Sequence, residues 1–478
     1  MNEGEIFMAQ RRFSILLTAS LFAAPVFAAN LDVPCYSSEI CPCSDVTGVS
    51  VPAQQSNLQG MAKDARQMGM AMPNMNMASP ATFIAEILSH STAGTSAEPD
   101  STPHDMLMTQ KGEWTIMFHG VAFLNSQQQT GPRGADKVFG TSWFMPMAQR
   151  ELGSGSLTVR GMFSLDPATI TGRQYPELFQ VGETAFGKPI VDGQHPHDFF
   201  MELAVLYDWK VAKDTLLSFY AAPVGDPAIG PEAFPHRVSA SEDTLAPLSH
   251  HLQDSTHIAD DVLTLGLTYK IARIEASGFH GREPNEHRWE IQAGAMDSWS
   301  VRFTLNPAPN WSGQYSITHL TSPEQLFPNE NTLRMTASVT YNKPLRDGAR
   351  GNWATTLIWG RNKTSPDAEV SNSYLAESTA RFASHNFAWT RIENVDRTNE
   401  LLLGENPIPP GFQEHFLARV QAYTFGYDHE WNFIRHVSTA LGGQYTLYAA
   451  PASLEPIYGS HPMGVLTFLR FRAMPSQK

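Results

Sequence analysis

Asp192–Val211 reads DGQHPHDFFMELAVLYDWKV, and two kinds of sequence meet in it. The first half is polar and broken by Gly193 and Pro196, with His195, His197 and Asp198 close together. The second half alternates. Phe199, Met201, Leu203, Val205, Tyr207 and Trp209 share one face of an extended chain, while Phe200, Glu202, Ala204, Leu206, Asp208 and Lys210 share the other. An unbroken apolar face ending in Tyr and Trp, with charges on the reverse, suits a wall with lipid outside and water inside.

The same period of two recurs from Glu113 to the end of the chain. Leu333, Met335, Ala337, Val339 and Tyr341 oppose Thr332, Arg334, Thr336, Ser338 and Thr340. Leu263, Leu265, Leu267, Tyr269 and Ile271 oppose Val262, Thr264, Gly266, Thr268 and Lys270, and Trp299, Val301, Phe303 and Leu305 oppose Ser300, Arg302 and Thr304. Each run is about 10 residues, enough for a tilted strand to cross a bilayer. Short links are expected at 306–310 and near Gly153, Ala212, Ala272, Asp347, Ser384 and Phe433. Longer ones fall at 125–137, 166–197, 224–260, 281–297, 321–330, 362–371, 394–413 and 449–463. Short and long links alternate, as up-and-down barrels require. The expected fold is therefore all-β: an antiparallel up-and-down transmembrane β-barrel of 16 strands, with 14 as the fallback count. No blade-length repeat points to a propeller instead.

Charged residues make up only 17% of the 478 and the formal net charge is -14, which argues against a nucleic-acid partner. Residues 1–29 have the form of a secretory signal: Arg11 and Arg12, an apolar core from Phe13 to Phe27, then Ala28 and Ala29. Met8 is a plausible true start. No later stretch approaches 18 consecutive apolar residues, so helical spans are not expected. Cys35, Cys41 and Cys43 are the three cysteines, and export favours one disulfide with a leftover thiol.

Residues 30–112 lack strand alternation until their end and form the segment before the barrel at 113–478. Ser79-Pro80 opens an expected short helix at 80–90, whose apolar face, Phe83, Ile84, Ile87 and Leu88, would dock on the barrel or plug its lower end. Ahead of it Met68, Met70, Met72, Met75 and Met77 crowd into QMGMAMPNMNM. Clustered thioethers suit Cu(I), although a biased tract without any ligand has the same composition.

Two resemblances follow from these residues. The series from 113 to 471 resembles outer-membrane β-barrel proteins, which implies outer-membrane lipid as a neighbour, a location in the outer membrane and both termini on the periplasmic side. Its last strand is similar to their C-terminal assembly signal, Val465, Leu469 and Phe471 alternating, but Arg472–Lys478 extend past the aromatic residue. The Met-rich tract resembles the leaders of copper-resistance outer-membrane proteins, which implies a link to copper or other heavy-metal tolerance, and it lacks their His/Asp interleaving.

The loop at 224–260 carries LSHHLQDSTHIADD. A helix opened by Pro247 would place His250, Asp254, His257 and Asp261 on one face, a spacing able to hold a divalent metal such as zinc. Loops of consecutive hairpins are neighbours, so His195, His197 and Asp198 are expected to come near, and His236 is a further candidate. The competing expectation is that these imidazoles bond to backbone carbonyls and the aspartates end loops. Arg160, Glu202, Asp208, Lys270, Arg302 and Arg334, and less clearly Arg391 and Glu393, have lumen parity; their mixed signs fit either an open pore or a hydrogen-bonded filling. Ser249 beside His250 and Ser255 near His257 supply the residue types of a hydrolase, but no Gly-flanked nucleophile elbow or phosphate-binding glycine loop accompanies them. The expected function is a non-enzymatic channel or transport component for small solutes or metal ions. The alternatives are an outer-membrane hydrolase with a His-rich loop site and a non-catalytic metal-binding surface protein.

Overall fold

The computed structural model describes residues 82–345 and 350–475. The expected signal at 1–29, the cysteines, and Met68, Met70, Met72, Met75 and Met77 lie outside the described residues.

Sixteen strands run up and down: β1 Trp114–Gln129, β2 Lys137–Leu152, β3 Gly155–Phe163, β4 Phe200–Ala212, β5 Thr215–Gly225, β6 Ala259–Tyr269, β7 Ala272–His280 and β8 Ser298–Ala308, then β9 Trp311–Thr321, β10 Asn331–Pro344, β11 Asn352–Ser365, β12 Val370–Phe382, β13 Asn386–Thr398, β14 Phe416–Ile434, β15 Val437–Ala449 and β16 Met463–Ala473. Each pairs antiparallel with its neighbours, and β16 closes on β1 from Val121↔Arg472 to Gln129↔Gly464. The strand Leu107–Lys111 pairs with the first residues of β1, so the sheet begins a few residues before 113. A closed sheet has no unpaired edge, which is the condition for strands to stand in lipid. Among the described residues no helix is long and apolar enough to cross a membrane.

Side-chain exposure follows the alternation. On β6, Leu263, Leu265 and Leu267 are 51%, 57% and 46% exposed, while Thr264 and Thr268 are 2% and 0%. The outer face is therefore apolar and the inner one polar. Trp311, Tyr341 and Trp353 pack ring against ring along the short-turn end, with Trp209 and Tyr269 exposed at the same level; Trp299, Tyr374 and Tyr445 lie toward the other rim. Such girdles mark the two interfaces of a bilayer.

The links match the expected pattern, but the strands overrun it; the link 362–371 shrinks to 366–369 and 125–137 to 130–136. Lys270 departs from its expected lumen position. β6 ends at Tyr269, and Lys270 takes a left-handed φ of 52° in the turn, exposed and 5.2 Å over the Tyr269 ring. Met201 departs too. A bulge pairs Met162 with Glu202 but Phe163 with Phe200, and Met201 is fully buried rather than lipid-facing.

Two inserts fill the lumen. The first is residues 82–106. Its helix, Phe83–Ser89, is capped by Thr82, whose hydroxyl accepts from the Ala85 N–H at 3.2 Å, and Phe83 and Ile87 bury against Leu216 of β5. Burial of two such side chains stabilises the docking by roughly 1.5–3 kcal/mol each. Arg160 then donates to the carbonyls of His90, Thr92 and Gly94, Arg302 to Thr95, and Asn306 to the carbonyl of Glu98. The second is the link 226–258. It bonds to β7 through Ser277, β9 through Ser316, β12 through Glu377, β13 through Glu393 and β16 through Arg470. The lumen is thus plugged by hydrogen bonds and ion pairs on nearly every side.

Candidate functional site

The charges of lumen parity are spent on holding the plug. Arg160 forms a two-pronged pair with Glu202 at 2.8 and 2.7 Å, and Asp208 accepts from His90 at 2.8 Å. Arg302 pairs with Glu275 at 3.0 Å, Arg391 pairs with Glu377 and Asp243, and Arg334 donates to Ser255, Thr256 and the His251 carbonyl. These pairs are buried, and the two inserts leave them no open pore to polarise.

The helix expected from Pro247 is a single turn, His250–Gln253, followed by a 3-10 turn at Ser255–His257. Asp254 breaks the helix because its carboxylate turns back onto its neighbours. It accepts from His250 Nδ1 at 2.7 Å, from Arg237 at 3.0 Å and from the Phe234 N–H. Asp261 stands apart: it is the third residue of β6, has φ 51° and accepts from the Gly294 N–H. Asp198 is held by Arg288 at 3.2 Å.

The histidines of the two loops do come together. His250 and His257 have ring centres 5.3 Å apart, His197 and His257 5.4 Å, and Phe234 packs among all three. His197 Nδ1 bonds Asp166 at 3.0 Å, His250 Nδ1 bonds Asp254, His257 Nδ1 bonds the Asp254 carbonyl at 2.7 Å, and His195 Nδ1 bonds the Pro196 carbonyl at 2.8 Å. Carboxylates and carbonyls accept, so each ring donates through Nδ1 and turns Nε2 away from that partner. This is how metal-ligating imidazoles are oriented. Burial pushes His250 down to about 4, and burial with the neighbouring His250 holds His257 well below the usual range, so both are neutral. Hydrogen bonding to carbonyls and ligand-like orientation, weighed as alternatives in the sequence, are therefore both present in one ring.

Beside this row lies a second group that the sequence does not reveal. Glu183, His251 and Glu283, from three different loops, bring ligand atoms within 4.8 Å of one another, the only such His/Cys/Asp/Glu group among the described residues. His251 Nδ1 is 3.5 Å from Glu183 and 4.0 Å from Glu283, and His195 Nε2 contacts Glu183 directly. Since His195 donates through Nδ1, its Nε2 lone pair faces a carboxylate oxygen, which needs a proton or a cation between them. Burial and the nearby Glu283 raise Glu183 to about 8, supplying the proton near neutral pH. Burial would raise Glu283 as well, but His251 and Arg334 hold it below the ordinary carboxylate range. Two imidazoles and two carboxylates match the donor set of a borderline divalent ion. Arg288, 4.0 Å from Glu183, is a competing positive charge. Glu183 and Glu283 escape the sequence because they come from different loops and nothing local sets them apart from neighbours such as Glu177 or Glu286; only the folded loops bring them to His251.

The two serines considered as nucleophiles face elsewhere: Ser249 donates to Glu393 at 3.0 Å and Ser255 accepts from Arg334 at 2.9 Å.

No protein-family model matches the chain, and no curated protein does either. Solved structures do. An anion-selective porin from Comamonas acidovorans aligns at 11% identity over 75% of this chain and 100% of its own, with a TM-score of 0.45. OmpF of Salmonella typhi, in complex with daunomycin, aligns at 8% over 77% and 100%, TM-score 0.44. The outer membrane channel DcaP of Acinetobacter baumannii aligns at 8% over 76% and 99%, TM-score 0.41. The chain is similar to outer-membrane β-barrel proteins. At these identities the similarity is one of architecture, and nothing about solute passes across it.

Proposed function

We propose that this barrel is an outer-membrane conduit for transition-metal cations, held in a plugged state by its own loop at 226–258. The observation that carries this is the group of imidazoles His197, His250 and His257 inside the barrel, each fixed through Nδ1, with His195 set beside them against Glu183. The Glu183–His251–Glu283 group lies at its outer end, among the long loops. Below, a cavity of about 490 Å³ reaches from the short-turn end up to His119, Trp143 and His236. A cation entering between the long loops thus meets carboxylates first, then imidazoles, then a vestibule. Both termini lie on the periplasmic side in this proposal, and zinc is the natural probe of the oxygen and nitrogen donors.

Zinc uptake into proteoliposomes holding a zinc-sensitive dye tests it. Uptake should exceed that of protein-free vesicles and fall in His250→Ala and His257→Ala. Absence of uptake, or uptake unchanged in both variants, would overturn the proposal. Zinc bound without any uptake favours the alternative of a metal-binding surface protein. That alternative is supported by the same donors and by the many bonds that hold the plug.

A further inference from the structure

Methionine is concentrated in one place inside the barrel. Of five buried apolar clusters, four contain no methionine, and the fifth has six among its nine residues: Met106, Met117, Met145, Met147, Met162 and Met201. Aliphatic and aromatic side chains fill the other clusters, so thioethers are not the ordinary filling of this lumen. The position is also unusual. Met117, Met145, Met147 and Met162 are on the inward faces of β1, β2 and β3, where the opposite wall carries Ser300, Thr318 and Thr336. Lumen walls are ordinarily polar.

Two imidazoles adjoin the cluster. His236, from the plug, places Nε2 2.8 Å from the Met162 sulfur. His119, two residues after Met117 on the same face of β1, has its ring 6.1 Å from that of His236, and its buried Nε2 has no hydrogen-bond partner. Both rings, with Met106, line the inner end of the 490 Å³ cavity. Burial and the adjacent His119 keep His236 well below its usual range, hence neutral. Thioether sulfur is a soft donor and neutral imidazole a borderline one, so a set rich in thioethers is poorly matched to magnesium and well matched to monovalent d10 ions.

We infer that Met117, Met145, Met147, Met162, His119 and His236 form a soft-metal site for Cu(I)-class ions at the inner end of the vestibule. The inference rests on the proposal of a metal conduit and narrows its cargo. The site uses none of the residues of the Met-rich tract at 67–77, which carries donors of its own.

The test uses the full-length protein in detergent, with Met61, Met68, Met70, Met72, Met75 and Met77 changed to Leu and Cys35, Cys41 and Cys43 changed to Ser, so that the segment before the helix contributes no sulfur. Ag(I) titration and competition against a chromophoric Cu(I) chelator should show one tight equivalent, with sulfur and nitrogen neighbours in X-ray absorption. Adding Met117→Leu, Met145→Leu, Met147→Leu and Met162→Leu should remove it; His236→Gln alone should weaken it roughly 10-fold or more. Methionine-to-leucine exchange conserves volume, and heat-modifiable migration on gels checks that the barrel is closed. If the fourfold variant does not fold, Met162→Leu and His236→Gln singly carry the test. Absence of a tight equivalent in the leader-substituted chain, or unchanged affinity in the lumen variants, would overturn the inference. Zinc uptake on the same preparations reports on the conduit separately, so the two can fail independently.

Discussion

Replacing Glu377 by Gln removes a single charge from the contact that pins the plug to the wall. Glu377 Oε1 accepts from Arg237 at 2.5 Å and from Ser239 at 2.8 Å, and Oε2 accepts from Arg391 at 3.2 Å. All three charged side chains are at most 3% exposed. Removing one partner of a buried pair costs about 3–5 kcal/mol because the other charge stays buried. Here Asp254 still faces Arg237 and Asp243 still faces Arg391, each at 3.0 Å, and glutamine keeps one acceptor, so the low end, about 3 kcal/mol, applies. Since 1.4 kcal/mol is a factor of ten, the plug should leave its seat on the order of 100-fold more often. Planar-bilayer recording reads this directly as the frequency of opening. A folded Glu377→Gln barrel whose openings stay within about threefold of the wild type, far short of that factor, would refute the assignment of the plug to these pairs.

Other expectations concern the same lumen. A Cβ on Gly360 of β11 would clash with the Leu252 carbonyl, so Gly360→Ala should displace the plug without touching any charge and raise conductance. Metal at the Glu183 group must displace a proton held up to about pH 8, so zinc affinity should rise as pH climbs toward that value, and Glu183→Gln should flatten the profile in isothermal titration. His250 is neutral in the fold down to about 4 but titrates at 6.5 when exposed, so the stability it lends is full above pH 6.5 and is lost as pH falls toward 4. Protease sensitivity of 226–258 should therefore increase over that window. On the outer face, Leu265→Arg sits near the middle of β6 and should cost about 2–4 kcal/mol of barrel stability, seen as a lower urea midpoint in lipid vesicles.

The barrel was readable because one physical rule, alternation across a wall between lipid and water, governs some 360 residues from 113 to the end of β16. Link lengths then supplied the strand count. Exceptions arose where a local geometry breaks the rule: a left-handed turn at Lys270 and a bulge at Met201. The site was legible by residue type and only partly by position. His195, His197, His250 and His257 could be chosen because they crowd in two loops, and the folded loops bring the last three near one another and set His195 against Glu183. Asp198, Asp254 and Asp261 could be chosen on the same ground, but each is occupied by Arg288, by Arg237 or by a backbone N–H. Which carboxylate faces an imidazole depends on how three loops pack, and no local pattern records that for Glu183 or Glu283. The inward methionines were a nearer miss. Met145 and Met147 share a parity, as do Met117 and His119, and a tally of residue type by face would have marked them.

Single-channel recording of the unmodified full-length protein is the most direct measurement. With the lumen occupied by 226–258 and lined by metal donors, the trace should be quiet, with brief openings that micromolar zinc suppresses. Steady, ohmic steps of porin size, indifferent to zinc, would contradict both the plug and the metal-handling lumen.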